Sequence, residues 1–164
     1  TTEIYTLSLH DALPIWPEIE KLAKGGKPNA IRFPRAMMKK NNLEFSFSGL
    51  KTSLLYYMDE HKNANLKDVA ASYQLAIIDV LITKLKWALE NTHCHTCVIA
   101  GGVAANLLLR DCSLNKLSGK KVIFPDLDLC TDNAAMIAYL GELYLSKGIK
   151  STIDFPILPN MQMA

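Results

Sequence analysis

The chain has 164 residues, is 49% hydrophobic and 21% charged, and carries a formal charge of +2. That is enough to bury one ordinary core, and no apolar run approaches the roughly 18 residues a membrane span needs. Four cysteines (Cys94, Cys97, Cys112 and Cys130) are too sparse for a secreted disulfide framework and favour a reducing compartment, here taken as the cytoplasm.

The chain opens on "TTEIYTLSLHDALPI", which has neither the basic nor the apolar region of a secretory signal. Back-translated, it resembles a common sequencing-library adapter read in frame, so residues 1–15 are expected to be an assembly artefact. Without Glu3 and Asp11 the remainder has 18 basic and 14 acidic residues, a charge of +4. "PEIEKLAKGG" predicts a short helix closed by Gly25 and Gly26. A Pro-interrupted connection follows, then "LEFSFSG", whose alternating Leu43, Phe45 and Phe47 predict a half-buried strand ended by Gly49. "LKTSLLYYMDEH" reads as a helix.

The clearest element runs from Leu66 to Asn91, with Val69, Tyr73, Ile77, Val80, Leu81, Leu85 and Leu89 on one face. Asn65 is its expected N-cap, and Asp68 suits the positive end of the helix dipole. "TCVIA" predicts a buried strand, "AANLLLRDCSLNKL" a helix, "KVIF" a strand, and "DNAAMIAYLGELYLSKG" a helix closed by Gly148. The tail from Ile149 reads as loop. Helices alternating with short β-rich runs indicate a layered α/β domain.

Two places carry chemistry. In "VIAGGVAANLLLRD" a strand ends in Gly101-Gly102 and leads towards a helix. Adjacent glycines permit positive φ and leave no Cβ to block a ligand, and the helix N-terminus offers N–H groups to a phosphate or nucleotide. Asn106, one turn in, can both donate and accept. The spacing fits neither GxGxxG nor a P-loop. In "CTDNAAMIA", Thr131 or Asp132 is expected to cap the helix, and an ionised Asp132 there could also ligate a metal.

Other patterns lead less far. "DLDLCTDN" fails as a calcium loop, because Thr131 stands at the turn-glycine position and Ile137 at the bidentate-Glu position. "HCHTC" has Cys-x-x-Cys but no second ligand pair at finger spacing. Ser48-Gly-Leu-Lys51 matches S-x-x-K without its companion motifs and reads as a turn into a helix. Lys21, Lys24, Lys27, Arg32, Arg35, Lys39 and Lys40 span twenty positions without an acidic residue. Such a run is usually a solvated face, and it can also meet a nucleic-acid backbone.

Taken in order, "FPRAMMKKNNLEFSFSGLKTS", "DVAASYQLAIIDVLITK", "VIAGGVAANLLLR" and "LCTDNAAMIAYLG" resemble successive signatures of the tRNA N6-adenosine threonylcarbamoyltransferase family of the TsaD type. The resemblance runs from about Pro17 to Gly148, so residues 16–148 correspond to the C-terminal part of that family's domain and 149–164 to a tail. It implies an α/β fold, the C-terminal portion of an actin-like, sugar-kinase-type (ASKHA) ATPase architecture. It implies that Gly101, Gly102 and Asn106 contact a nucleotide, threonylcarbamoyl-AMP or ATP, and that Asp132 is one ligand of a divalent iron or zinc ion. The family's other two ligands come from His-x-x-x-His, and His10, His61, His93 and His95 include no such pair. The implied reaction moves a threonylcarbamoyl group to N6 of the adenosine 3′ of the tRNA anticodon. The implied partners are tRNA, a paralogous actin-fold subunit and a small ATPase, with no membrane. The chain alone is expected to be inactive. The alternatives are a metal-free partner subunit or a small-molecule kinase of the same fold.

Overall fold

Residues 16–40 and 42–150, together with 152 and 154, are described by the computed structural model. The leader and most of the tail lie outside the described residues. The described chain forms five helices, α1 (Trp16–Ala23), α2 (Ser48–Glu60), α3 (Leu66–Asn91), α4 (Leu107–Lys116) and α5 (Ala134–Ser146). Two strands, β1 (Thr96–Val98) and β2 (Lys121–Ile123), and 3₁₀ turns at Gly102–Ala105 and Leu127–Leu129 complete it. It divides into two compact units after Cys130.

The first unit is built around α3, which keeps the predicted limits and, at 26 residues, is about 39 Å long. Asn65 caps it, its side chain accepting from the Lys67 N–H at 3.1 Å. Burial is wider than the single predicted face. Ala70, Ser72, Gln74, Ile78, Ile82 and Lys84 are buried as well, because the helix is packed on two sides. On one side Val69, Tyr73 and Ile77 meet Phe33 and Leu50, with Ile19 of α1 and Leu54 and Tyr57 of α2 around them. On the other, Ile78, Ile82 and Leu89 meet Leu109 and Leu117 of the α4 region. Each fully buried aliphatic side chain here stabilises the fold by about 1.5–3 kcal/mol.

A strap, residues 27–40 together with Asn42, runs alongside α3 in the same direction. The Lys27 N–H donates to Asp68 Oδ1 at 2.7 Å and the Ile31 N–H to Ser72 Oγ at 3.1 Å. Arg35 donates to Asp79 Oδ2 at 2.8 Å, and Lys84 Nζ donates to the carbonyls of Met37 (2.9 Å) and Asn42 (2.8 Å). Gly26, just ahead of the strap, is a true close approach: a Cβ there would lie 2.1 Å from the Lys67 carbonyl oxygen. Any side chain would push the strap off the start of α3.

The strand expected at 43–47 is absent. Glu44 N–H turns back onto Asn42 Oδ1 at 2.8 Å, Phe45 stacks on Phe47, and Phe47 already occupies the position before α2. Alternation supplies a face, but a strand also needs an edge to pair with, and the local turn takes these residues elsewhere. Gly49 lies inside the first turn of α2 rather than ending a strand.

β1 and β2 pair in parallel, Thr96 against Lys121 and Val98 against Ile123, with α4 as the crossover. The buried strand predicted at 96–100 is half-exposed instead. Cys97, Ile99 and Val122 face the α3–α4 cluster, whereas Val98 is 64% exposed on the other face. In the second unit, α5 ends in a Schellman arrangement, as Gly148 predicts. The Gly148 N–H donates to Leu145 O and the Ile149 N–H to Tyr144 O, with Gly148 at φ 73°. Among the described residues no helix is long and apolar enough to cross a membrane.

Candidate functional site

The turn after β1 holds its backbone in an unusual conformation. Gly101 adopts φ 85° and ψ 176°, a region open essentially only to glycine. A Cβ there would meet nothing within 4 Å. The glycine is therefore required by conformation, not by neighbouring protein, and the space beside it is open. Gly102 begins the 3₁₀ turn, closed by Ala104 N–H to Gly101 O at 2.9 Å and Asn106 N–H to Val103 O at 3.0 Å.

This turn changes the predicted helix. α4 starts at Leu107, and Asn106 is its N-cap in extended conformation rather than a residue one turn in. Asn106 is 3% exposed. Its Oδ1 accepts from the Leu109 N–H at 2.8 Å and from Gln74 Nε2 at 3.3 Å. Among the described residues its buried Nδ2 meets no acceptor and the buried Gln74 Oε1 no donor. A buried donor without a partner carries a desolvation cost of about 1–3 kcal/mol.

The α4 N-terminus, in contrast, is not the vacant anion site the sequence suggests. Glu20 Oε1 of α1 accepts from the Leu107 N–H at 3.0 Å, and Asn106 takes Leu109. Two of the three leading N–H groups are thus occupied, one by a carboxylate that repels phosphate. The space that stays open here is beside the glycine turn.

Arg110 is a residue that sequence reasoning missed. Its guanidinium donates to the carbonyls of Ala104 and Pro125, each at 2.7 Å, and to Cys130 Sγ at 3.3 Å. It also lies over the Phe124 ring, 4.8 Å from the centroid. One side chain therefore joins the glycine turn to the segment leading to Cys130. Gln74, also missed, was visible as a lone amide among the apolar positions of α3.

In the second unit Asp132 is exposed, between Thr131 and the start of α5. It does not cap that helix, and neither does Thr131. Asn133 does, accepting from the Met136 N–H at 3.1 Å while its Nδ2 donates to Thr131 O at 2.9 Å. Asn is as good a cap as Asp, and its place one residue nearer the helix decides the matter. The Asp132 carboxylate has no hydrogen-bond or ion-pair partner among the described residues. A transition-metal site typically needs about three or four protein ligands. Among the described residues no group of three His, Cys, Asp or Glu side chains is assembled. The residues present therefore do not make a metal centre by themselves.

The "HCHTC" stretch is split by the fold. His93 takes φ 54° as α3 ends, Cys94 is exposed, and Cys97 turns inward on β1. Burial pushes the Cys97 thiol above its ordinary pKa, which disfavours the thiolate that metal binding requires.

Comparison with known proteins decides the lineage. The model of the family described as tRNA N6-adenosine threonylcarbamoyltransferase matches residues 5–139. The chain belongs to this family. Relatives carrying that same description include one from Thermosipho africanus, 44% identical over 155 residues, which cover 92% of this chain and 47% of the relative. One from Kosmotoga olearia is 44% identical over 153 residues, 92% and 46% of the two chains. One from Streptococcus pneumoniae is 49% identical over 130 residues, 77% and 38%. The chain thus spans about half the length of the curated relatives it matches. The α/β architecture with its small parallel sheet is consistent with the family.

Proposed function

We propose that the full-length protein transfers a threonylcarbamoyl group from threonylcarbamoyl-AMP to N6 of the adenosine 3′ of the anticodon in tRNA. The observation that carries this reading, beside the family membership, is the Gly101–Asn106 turn. A glycine-only backbone conformation borders open space, and the adjoining buried amide has a donor with no acceptor among the described residues. That combination suits the edge of a nucleotide, held by Gly101, Gly102 and Asn106, with Arg110 and Gln74 positioning the turn.

In the reaction so proposed, the N6 amine attacks the carbamoyl carbon of the mixed anhydride, the C–O bond to phosphate breaks, AMP departs and the amine loses a proton. No enzyme nucleophile is required. This chain's contribution is to fix the adenylate so that the carbonyl and the incoming amine meet in a reactive geometry. The chain is proposed to form the C-terminal portion of an actin-like, sugar-kinase-type fold.

Asp132 is proposed as one ligand of an iron or zinc ion, the others lying in the part of the relatives' length that this chain does not span. A free carboxylate, left uncommitted because Asn133 takes the capping role, supports that assignment. A paralogous actin-fold subunit and a small ATPase are proposed partners, the cytoplasm is the proposed compartment, and the 164-residue chain alone is expected to be inactive.

The test is direct. Purified full-length protein, its partners, tRNA and threonylcarbamoyl-adenylate should yield threonylcarbamoyladenosine on nucleoside analysis. Turnover of the adenylate with no modified adenosine in any tRNA would contradict the reading.

A further inference from the structure

We propose that the outer side of the strap along α3 is a docking surface for the phosphate backbone of an RNA substrate. The inference rests on the functional reading above and goes beyond it by assigning the surface.

Residues 27–42 contain Lys27, Arg32, Arg35, Lys39 and Lys40 and no acidic residue. The fold turns this run into a line of charge. The strap is tied to α3 at Asp68, Ser72, Asp79 and Lys84, so its cations are distributed along about 24 Å of helix. Every one of these ties uses a strap backbone group except that of Arg35. The strap is therefore held on its inner side while Lys27, Arg32, Lys39 and Lys40 are exposed.

The acids of α3 that face the strap are already engaged. Asp68 accepts the Lys27 N–H, and Asp79 binds both Arg35 and Lys116. Burial raises the Asp79 pKa, but hydrogen bonds and charge from Lys116 and Arg35 outweigh it and hold the carboxyl below its ordinary value. Lys27, Arg32, Lys39 and Lys40 form no ion pair among the described residues.

Between the strap and α2 lies an open depression lined by Arg32, Phe33, Pro34, Arg35, Met38 and Ser53. It offers one free guanidinium, one guanidinium already fixed by Asp79 and the Phe33 carbonyl, and one hydroxyl. Those groups suit a phosphodiester, since guanidinium binds phosphate in bidentate fashion. A row of cations without ion pairs among the described residues, on a strap whose backbone is tied down, fits a polyanion of repeating charge better than a single small ligand.

The experiment compares full-length wild type with the triple variant Arg32→Glu/Lys39→Glu/Lys40→Glu in tRNA binding over a range of salt concentrations. Affinity should fall roughly tenfold or more, and the slope of log K against log salt should shrink by about 2–3, close to one per lost phosphate contact. A matched reversal elsewhere, Lys86→Glu/Lys121→Glu/Lys147→Glu, should leave both nearly unchanged. The neutral variant Arg32→Gln/Lys39→Gln/Lys40→Gln, checked by thermal unfolding, should reproduce the loss without the added repulsion. Wild-type affinity and slope in both strap variants would overturn the proposal. So would displacement of the tRNA by poly-glutamate as readily as by polyphosphate, which would assign the strap to an acidic protein. If wild type modifies tRNA while the strap variants bind it normally, only this inference fails. If wild type modifies no tRNA, the functional reading fails.

Discussion

Asn106 and Asp132 are each a small polar residue just ahead of a helix, yet the fold treats them in opposite ways. Asn106 is 3% exposed, caps α4, and is gripped by Leu109 and Gln74. Asp132 is exposed, caps nothing, and leaves α5 to Asn133. The difference separates two routes to a functional residue. Asn106 is preorganised by the chain's own core, so its role and its contribution to stability are entangled. Asp132 contributes almost nothing to its surroundings, so whatever it does depends on something it meets.

The strongest way to break the contrast is through the residue that braces the buried side. Arg110→Ala removes bonds to Ala104, Pro125 and Cys130. At about 1.5–3 kcal/mol for a charged hydrogen bond, with losses partly shared, the expected cost is about 2–4 kcal/mol. Urea unfolding should show it as a lower midpoint, and ATP affinity should fall because the glycine turn loses its brace.

Asn106→Ala comes next, at about 1–3 kcal/mol from the lost cap and the stranded Gln74 amide. Asn106→Asp sharpens the test, since the carboxylate keeps an acceptor for Leu109 and Gln74 but has no Nδ2 donor. Calorimetry should then show weakened ATP or adenylate binding with the α4 cap retained. Unchanged nucleotide affinity in Asn106→Asp would make this residue purely structural.

On the exposed side the effects are smaller and fall on the neighbour. Asn133→Ala should cost about 1 kcal/mol through the lost cap on α5, read as reduced helicity or earlier thermal unfolding. Asp132→Asn should stay within about 0.5 kcal/mol of wild type, as expected of a surface change away from any specific contact. A larger loss in Asp132→Asn than in Asn133→Ala would reverse the capping assignment.

How much of this was legible depended on the range of the interactions. α3 was readable to its limits because 26 residues of sustained pattern and an Asn cap speak locally. The Schellman end of α5 was readable from Gly148 for the same reason. Thr131, Asp132 and Asn133 are all competent caps, and nothing local chooses among three in a row. "LEFSF" carried a strand's alternation without a strand's partner. The bonds of Arg110 to Pro125 and Cys130 and of Gln74 to Asn106 reach residues 15 or more positions away, and the strap's path along α3 is set by single bonds across about forty residues. The positive φ of the glycine turn was visible in Gly101-Gly102, but the occupation of the α4 N-terminus by Glu20 was not, since that bond spans 87 positions.

The measurement that reaches the central claim most directly is metal content and threonylcarbamoyl transfer in the full-length protein carrying Asp132→Asn. The side chain keeps its size, and the described fold makes no use of its charge, so unfolding of the metal-free proteins should be unchanged. The account predicts that bound iron or zinc and transfer to tRNA are lost together, with nucleotide binding at Asn106 largely retained. Full metal content and full transfer in that variant would contradict it.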